Sequence, residues 1–172
     1  VCRAPPSAET PLVLAATERL QVAFRDVSRC TTLVDAGITG NAGNASGEEL
    51  RELAWPLVQP SFHEEKGRDF ERLRNHRGSP RRVDGIRRLL PAAFGGRLDT
   101  LIVSLDDHIW GLYDSSNDAL VHQDLRRIGD EDLLDRVAVE ALLRGTRVYA
   151  VHRDEIPTKE IATGLLREKN TH

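Results

Sequence analysis

Short apolar runs that alternate with helix-period stripes constrain this chain more than any other feature. Residues 11–16 (Pro-Leu-Val-Leu-Ala-Ala) and 100–105 read as buried strands, and 147–151 as a further strand. Leu20, Ala23, Phe24 and Val27 fall at i, i+3, i+4, i+7 and predict one apolar helix stripe. Val83, Ile86, Leu89, Leu90 and Phe94 predict a second helix, closed by Gly95-Gly96. Leu133, Leu134, Val137, Ala138, Ala141 and Leu142 predict a third, with Asp130 as its cap and Arg144-Gly145 at its end. Residues 31–34 and 108–113 add strands. The segments 100–105 and 108–113, joined by Asp106-Asp107, read as a hairpin. Residues 161–166 suit either a strand or a short helix. Helix and strand mix in each half, so the class is α/β.

The longest predicted helix opens at a capping box, Ser46-Gly47-Glu48-Glu49, in which each end's side chain meets the other's amide. Leu50, Leu53, Ala54, Leu57, Val58 and Phe62 are its expected buried stripe. Pro56 removes one helical donor and should kink it, and Pro60 should kink or end it. From 63 to 77 the sequence is charged, with Phe70 and Leu73 its only large apolar side chains, and reads as a solvated helix. Gly78-Ser79-Pro80 then marks a domain boundary.

At 172 residues, 40% hydrophobic and 30% charged, with a mean hydropathy of −0.40, the chain is neither collagen-like nor wholly disordered. No apolar run approaches the ~18 residues of a membrane span, so a soluble protein is expected. Cys2 and Cys30 make no disulfide framework and no C-x-x-C, which fits a reducing cytoplasm. The chain has no methionine and begins at Val1, which leads us to expect a piece of something longer.

The net charge of −3 hides a strong asymmetry. Residues 66–97 are basic and almost all of that charge is arginine, whereas the stretches on either side are acidic. Arginine forks onto phosphate better than lysine does. Arg72, Arg74, Arg77, Arg81, Arg82, Arg87 and Arg88 are therefore the candidate RNA-phosphate contacts. The alternative is a solvated face whose charges pair with the acidic ends.

Other polar constellations are weaker. Asp106, Asp107, His108, His122 and His152 lie near strand ends, where metal ligands could gather, yet no H-x-x-x-H spacing supports a site, and no metal or cofactor is expected. Ser104, Asp106 and His108 are too close in sequence for a catalytic triad, whose members come from distant segments. The glycines from 37 to 47 lack the lysine of a phosphate-binding loop and read as turns. Trp110 reads as sheet packing.

Several segments in order carry a family resemblance. They are Pro11-Leu-Val-Leu-Ala15, Gly37-Ile-Thr-Gly-Asn41, Ala54-Trp55, the run from Leu90-Pro-Ala-Ala-Phe-Gly-Gly-Arg to Leu101, Trp110-Gly111, Gly129-Asp-Glu-Asp-Leu-Leu-Asp135, Val139-Glu-Ala-Leu-Leu-Arg-Gly145, Val148-Tyr149 and Ile156-Pro157. Together they resemble the bacterial members of the archaeo-eukaryotic peptide-chain release factor family, relatives of that release factor and of Pelota, over about residues 10–167. The resemblance implies that residues 1–79 are the end of a middle domain with an RNase H-like fold, closing on a long kinked helix. It implies that residues 80–172 are a C-terminal α/β/α sandwich with a mixed sheet. It further implies docking to ribosomal RNA or tRNA, or to a GTPase-like protein partner, the latter favoured for the acidic part after residue 98. Peptide release in such factors uses a Gly-Gly-Gln loop; here Arg97 follows Gly95-Gly96, so no catalytic residue is assigned. Arg167 is followed by Glu168 rather than by the tyrosine common near the end of bacterial relatives. An enzyme using the polar groups around 106–108, and a purely protein-binding adaptor, are the competing functions. A last expectation concerns the strand at 11–16, which should pair with residues 31–35 and leaves an edge open to a second chain, hence to a homodimer.

Overall fold

In the computed structural model, residues 10–40, 42–123 and 125–168 are described, apart from the Ala42 side chain. Cys2 and the proline-rich start lie outside them, as does Asn41 of the glycine-rich loop. The chain divides into two compact units, Val1–Gly67 and Arg68–His172.

The first unit is small. β1 (Ala15–Ala16) pairs in parallel with β2 (Ile38–Thr39), and Leu12 bridges Leu33, also in parallel. The run 11–16 thus pairs with the expected segment at its start and with the glycine-rich loop at its end. α1 (Glu18–Val27) forms where the stripe predicted it. Its stripe is not core, however: Leu20 is 62% and Val27 78% exposed, and the helix's one buried side chain is Gln21. The Gln21 amide donates to Ala16 O and Ile38 O, both at 3.0 Å, tying the helix to both short strands. Gly37 is needed beside it, because a Cβ there would sit 2.1 Å from Gln21 Oε1.

α2 (Gly47–Asn75) is one continuous helix that passes both prolines. The capping box forms as predicted, with Ser46 N–H donating to Glu49 Oε2 at 2.8 Å and Glu49 N–H to Ser46 Oγ at 3.2 Å. Two expectations about α2 reverse. Leu53 and Phe62, expected in a core, are exposed, and Trp55 stacks on Phe62 with ring centroids 5.9 Å apart. The charged run that looked solvated instead buries Asp69, Phe70 and Leu73. Two apolar side chains one turn apart suffice when a sheet face waits for them. The second compact unit therefore begins ahead of Gly78-Ser79-Pro80.

The second unit is α/β with a mixed sheet. β3 (Arg82–Asp84), β4 (Leu98–Ser104), β8 (Arg147–Val151) and β9 (Ala162–Leu166) stand in the order β3-β9-β4-β8. β4 and β8 are parallel, and β9 is antiparallel to β3 and β4. Residues 161–166 are thereby settled as strand. α3 (Ile86–Phe94) and α4 (Leu133–Leu143) pack Leu89, Leu90, Leu133, Val137 and Ala141 with Leu98, Leu101 and Val103 in one core. Phe70 and Leu73 of α2 share a second core with Ile102, Val151, Ile156 and Leu165. The sheet thus carries helices on both faces.

The expected hairpin across Asp106-Asp107 does not form. β4 is central, with β9 on one side and β8 on the other, so it has no free edge to offer. β5 (Trp110–Asp114) instead joins β6 (Ala119–Gln123) and β7 (Glu131–Asp132) in a separate antiparallel sheet, order β6-β5-β7. The cap of α4 also moves: Asp132, not Asp130, accepts from Leu134 N–H at 3.0 Å, while Asp130 accepts from Arg127 N–H at 2.6 Å. At the other end of α4 the Arg167 guanidinium donates to Arg144 O at 2.9 Å, a cation on the helix's last carbonyls.

Candidate nucleic-acid interface

The seven arginines of the basic stretch divide by what already holds them. Arg72 donates to Asp69 Oδ1 and Asp99 Oδ2, both at 2.8 Å. Burial works against its charge, and the two carboxylates outweigh that and raise its pKa. Asp99 is likewise resisted by burial, and hydrogen bonding from Arg72 with the charge of Arg147 brings its carboxyl below the ordinary range. Asp69 also accepts from Tyr149 Oη at 3.0 Å and lies 3.2 Å from Arg147 Nε. Arg72 is thus an element of the α2–sheet joint. Arg81 donates to Glu168 at 2.7 Å and to Leu166 O at 3.2 Å, and Arg82 donates to Asp84 at 3.0 Å. Arg74 pairs with Glu71 on the helix surface. Arg77, Arg87 and Arg88 are exposed, and no side-chain hydrogen bond or ion pair holds them among the described residues.

Three of the seven converge. Arg74, Arg77 and Arg82 line a groove of about 450 Å³ together with residues 156–160, which include Lys159 and Glu160. The topology explains the meeting: β3 pairs with β9, and the loop between β8 and β9 leads into that strand. Sequence reasoning missed Lys159, isolated in an acidic neighbourhood, and no local signal would have found it. A second hollow of about 370 Å³ holds Arg82 and Arg88 beside Gly78, Ser79, Pro80 and Asp84. The exposed guanidinium forks of Arg74 and Arg77 can hold phosphate oxygens bidentately, and Lys159 adds a point charge, whereas Arg82, tied to Asp84, shapes the groove.

The polar residues around 106–108 are occupied with one another. Ser104 Oγ donates to Asp107 Oδ2 at 2.6 Å, not to a histidine. His108 Nδ1 meets Asp132 Oδ2 at 2.5 Å. Its ring stacks on Trp110, centroids 5.3 Å apart, and Arg126 lies 4.7 Å from the Trp110 ring. Asp106 Oδ1 pairs with His152 Nδ1 at 2.9 Å. Ser104, Asp106 and His108 therefore do not assemble as a triad. Among the described residues no three His, Cys, Asp or Glu side chains are grouped to hold a metal ion. None of the described helices is long and apolar enough to cross a membrane.

The model of bacterial archaeo-eukaryotic release factor family 3 matches residues 4–97. No curated protein matches. Among solved structures, an archaeal translation termination factor is 14% identical, matching 92% of this chain and 43% of its own with a TM-score of 0.44. Pelota of Archaeoglobus fulgidus is 14% identical over 94% of this chain and 50% of its own, TM-score 0.41. The C-terminal domain of a peptide chain release factor from Methanosarcina mazei is 12% identical over 75% of this chain and 99% of its own, TM-score 0.41. The chain spans half or less of the length of the first two.

Proposed function

The chain belongs to bacterial archaeo-eukaryotic release factor family 3, and from that premise we propose that it is a docking portion of a release-factor-like, ribosome-associated factor, which holds structured RNA by its phosphates. The observation that carries this reading is the groove that Arg74, Arg77 and Arg82 line together with Lys159. We read residues up to 79 as the end of an RNase H-like middle domain and residues 80–172 as the C-terminal domain, with the last turns of α2 as that domain's first packing element. The exposed apolar stripe of α1 and the two-residue strands beside it suit a piece of a larger core.

The test is a salt series with a stem-loop RNA. Each phosphate neutralised contributes a slope of about 0.7–0.9 in log K against log salt. The variant R74E/R77E/K159E is expected to lower the slope by about 2 or more and to weaken binding at low salt. A flat slope for the natural chain, or a slope untouched by the triple reversal, overturns the reading.

A protein partner is the second reading, supported by apolar side chains left exposed on the small sheet and α4: Leu112, Val121, Leu142 and Leu143. A complex isolated with the chain that survives nuclease treatment, and is lost on L112E/V121E, supports this reading over RNA docking.

A further inference from the structure

Outside the groove, a second cluster of charged groups lies at the carboxyl ends of the parallel strands β4 and β8. Their last residues, Ser104 and Val151, are register partners. Asp106 and Asp107 follow β4; His152 and Arg153 follow β8. Three bonds join the two turns, and a fourth braces the first turn on itself. Asp106 Oδ1 meets His152 Nδ1 at 2.9 Å, and Asp106 Oδ2 accepts from Arg153 N–H at 2.8 Å. Asp107 Oδ1 accepts from the Arg153 guanidinium at 2.6 Å, and Asp107 Oδ2 from Ser104 Oγ at 2.6 Å. The second strand's turn is itself a short 3₁₀ helix, Arg153–Glu155, in which His152 N–H donates to Glu155 Oε1 at 3.3 Å. Beyond it the chain plunges Ile156 into the core beside Phe70 and Leu73. It then emerges as Pro157, Thr158, Lys159 and Glu160, which line the groove.

We propose that Asp106 and Asp107 are positioning residues for the groove: by fixing His152 and Arg153 they set the loop that brings Lys159 into the groove with Arg74 and Arg77. This rests on the RNA-docking reading above and adds to it two acidic residues that touch no phosphate. The chemistry gives the proposal a sign of its own. Asp106 and Asp107 are negative charges on the same unit as a cationic groove. If they acted only through their field, neutralising them would tighten phosphate binding. If they act by holding the loop, neutralising them weakens it, because an unfixed Lys159 must be ordered at the cost of conformational entropy when RNA binds.

The experiment uses the full 172-residue chain, a stem-loop RNA as probe, and the variants D106N/D107N and D154N. Asp154 is an exposed acid of the same turn that takes no part in the four bonds, so D154N is the field control. D106N/D107N is expected to bind RNA about three- to tenfold more weakly than the natural chain, and D154N equally or slightly more tightly. Amide hydrogen exchange without RNA should accelerate at 156–160 in D106N/D107N and stay unchanged in the centres of β4 and β8. Should the double variant unfold, Asp106→Asn alone keeps an acceptor for Arg153 N–H and is measured in the same way. Binding by D106N/D107N as tight as or tighter than the natural chain, or unchanged exchange at 156–160, overturns the positioning role. The two readings fail separately. If R74E/R77E/K159E leaves RNA binding untouched, the groove is not the RNA site, while the exchange measurement still decides whether Asp106 and Asp107 hold the loop.

Discussion

Asp69 is the residue whose neighbours explain most about the second unit. It is 2% exposed, and a carboxylate so placed must be hydrogen-bonded and paired. Arg72, Arg147 and Tyr149 supply that, and they come from α2 and from the sheet. The pairing is a joint between elements that lie far apart in sequence. Its removal leaves Tyr149 Oη without this acceptor and takes one of the carboxylates from each guanidinium. Because Arg72 and Arg147 stay partly solvated and keep Asp99, the expected cost of Asp69→Ala is about 2–3 kcal/mol, below that of breaking a wholly buried pair. Urea unfolding of the variant measures it, and a cost under about 0.5 kcal/mol would mean that the joint is ornamental.

His152 and Asp106 titrate in opposite senses. The Asp106 carboxylate raises the His152 pKa, while the Arg153 amide and then His152 lower that of Asp106. The histidine's stabilisation is complete below its ordinary value of 6.5 and is lost as pH rises through the raised folded value. The carboxylate's is complete above its ordinary value of 3.8 and is lost as pH falls through the lowered folded value. The pair is therefore best formed between mildly acidic and neutral pH. Proton NMR of the His152 ring should show a midpoint above 6.5 that falls back toward that value in D106N. Equal midpoints in the two chains would separate the residues in solution.

At the scale of elements, β4 and β8 stand where the apolar runs placed them, and α3 and α4 form on their predicted stripes but start later, with Val83 taken into β3 and Asp132 as the cap of α4. What could not be read was partnership. Phe70 and Leu73 look stranded in a charged run until a sheet face is set beneath them. The stripe of α1 looks like core until it proves uncovered. The supposed hairpin at 106–107 fails because β4 is already paired on both edges. Of the candidate site, the arginines were visible as a run, but which of them were tied to Asp99, Glu168 or Asp84, and that Lys159 lined the same groove, depended on contacts between distant segments. Gly164 shows the same limit. A Cβ there would lie 2.9 Å from Thr100 O and 3.1 Å from Leu89 Cδ2, so β9 approaches β4 and α3 more closely than any side chain allows. Gly164→Ala is expected to destabilise the second unit by about 1–3 kcal/mol through overpacking, and Gly78→Ala, strained at its φ of 78° but with open space around its Cβ, by less. Thermal melts of the two variants rank the effects; a larger loss for Gly78→Ala would contradict the packing argument.

For the whole molecule, the sharpest consequence is where the second unit can be cut. Composition and turn signals place the boundary at Gly78-Ser79-Pro80, whereas the packing places it before Asp69. The difference is Asp69, Phe70 and Leu73. Leu73 is fully buried and Phe70 is 8% exposed, both against Ile102, Ile156 and Leu165. Truncating a buried leucine costs about 2–5 kcal/mol and a buried phenylalanine about 3–5. A domain's whole stability is about 5–15 kcal/mol. A fragment of residues 80–172 thus forfeits an amount comparable with its entire stability and exposes one apolar face of its sheet. It is expected to be partly unfolded or aggregated, whereas residues 68–172 should unfold cooperatively with dispersed amide resonances. Charge works in the same direction, since the shorter fragment also takes Arg72 from Asp99 and Asp69 from Arg147, although those two keep each other. If residues 80–172 fold as stably as residues 68–172, the end of α2 is a passenger on the sheet. If only the longer fragment folds, the helix that leads out of the first unit is part of the second unit's core, and Arg74 and Arg77 are held on a rigid wall of the groove.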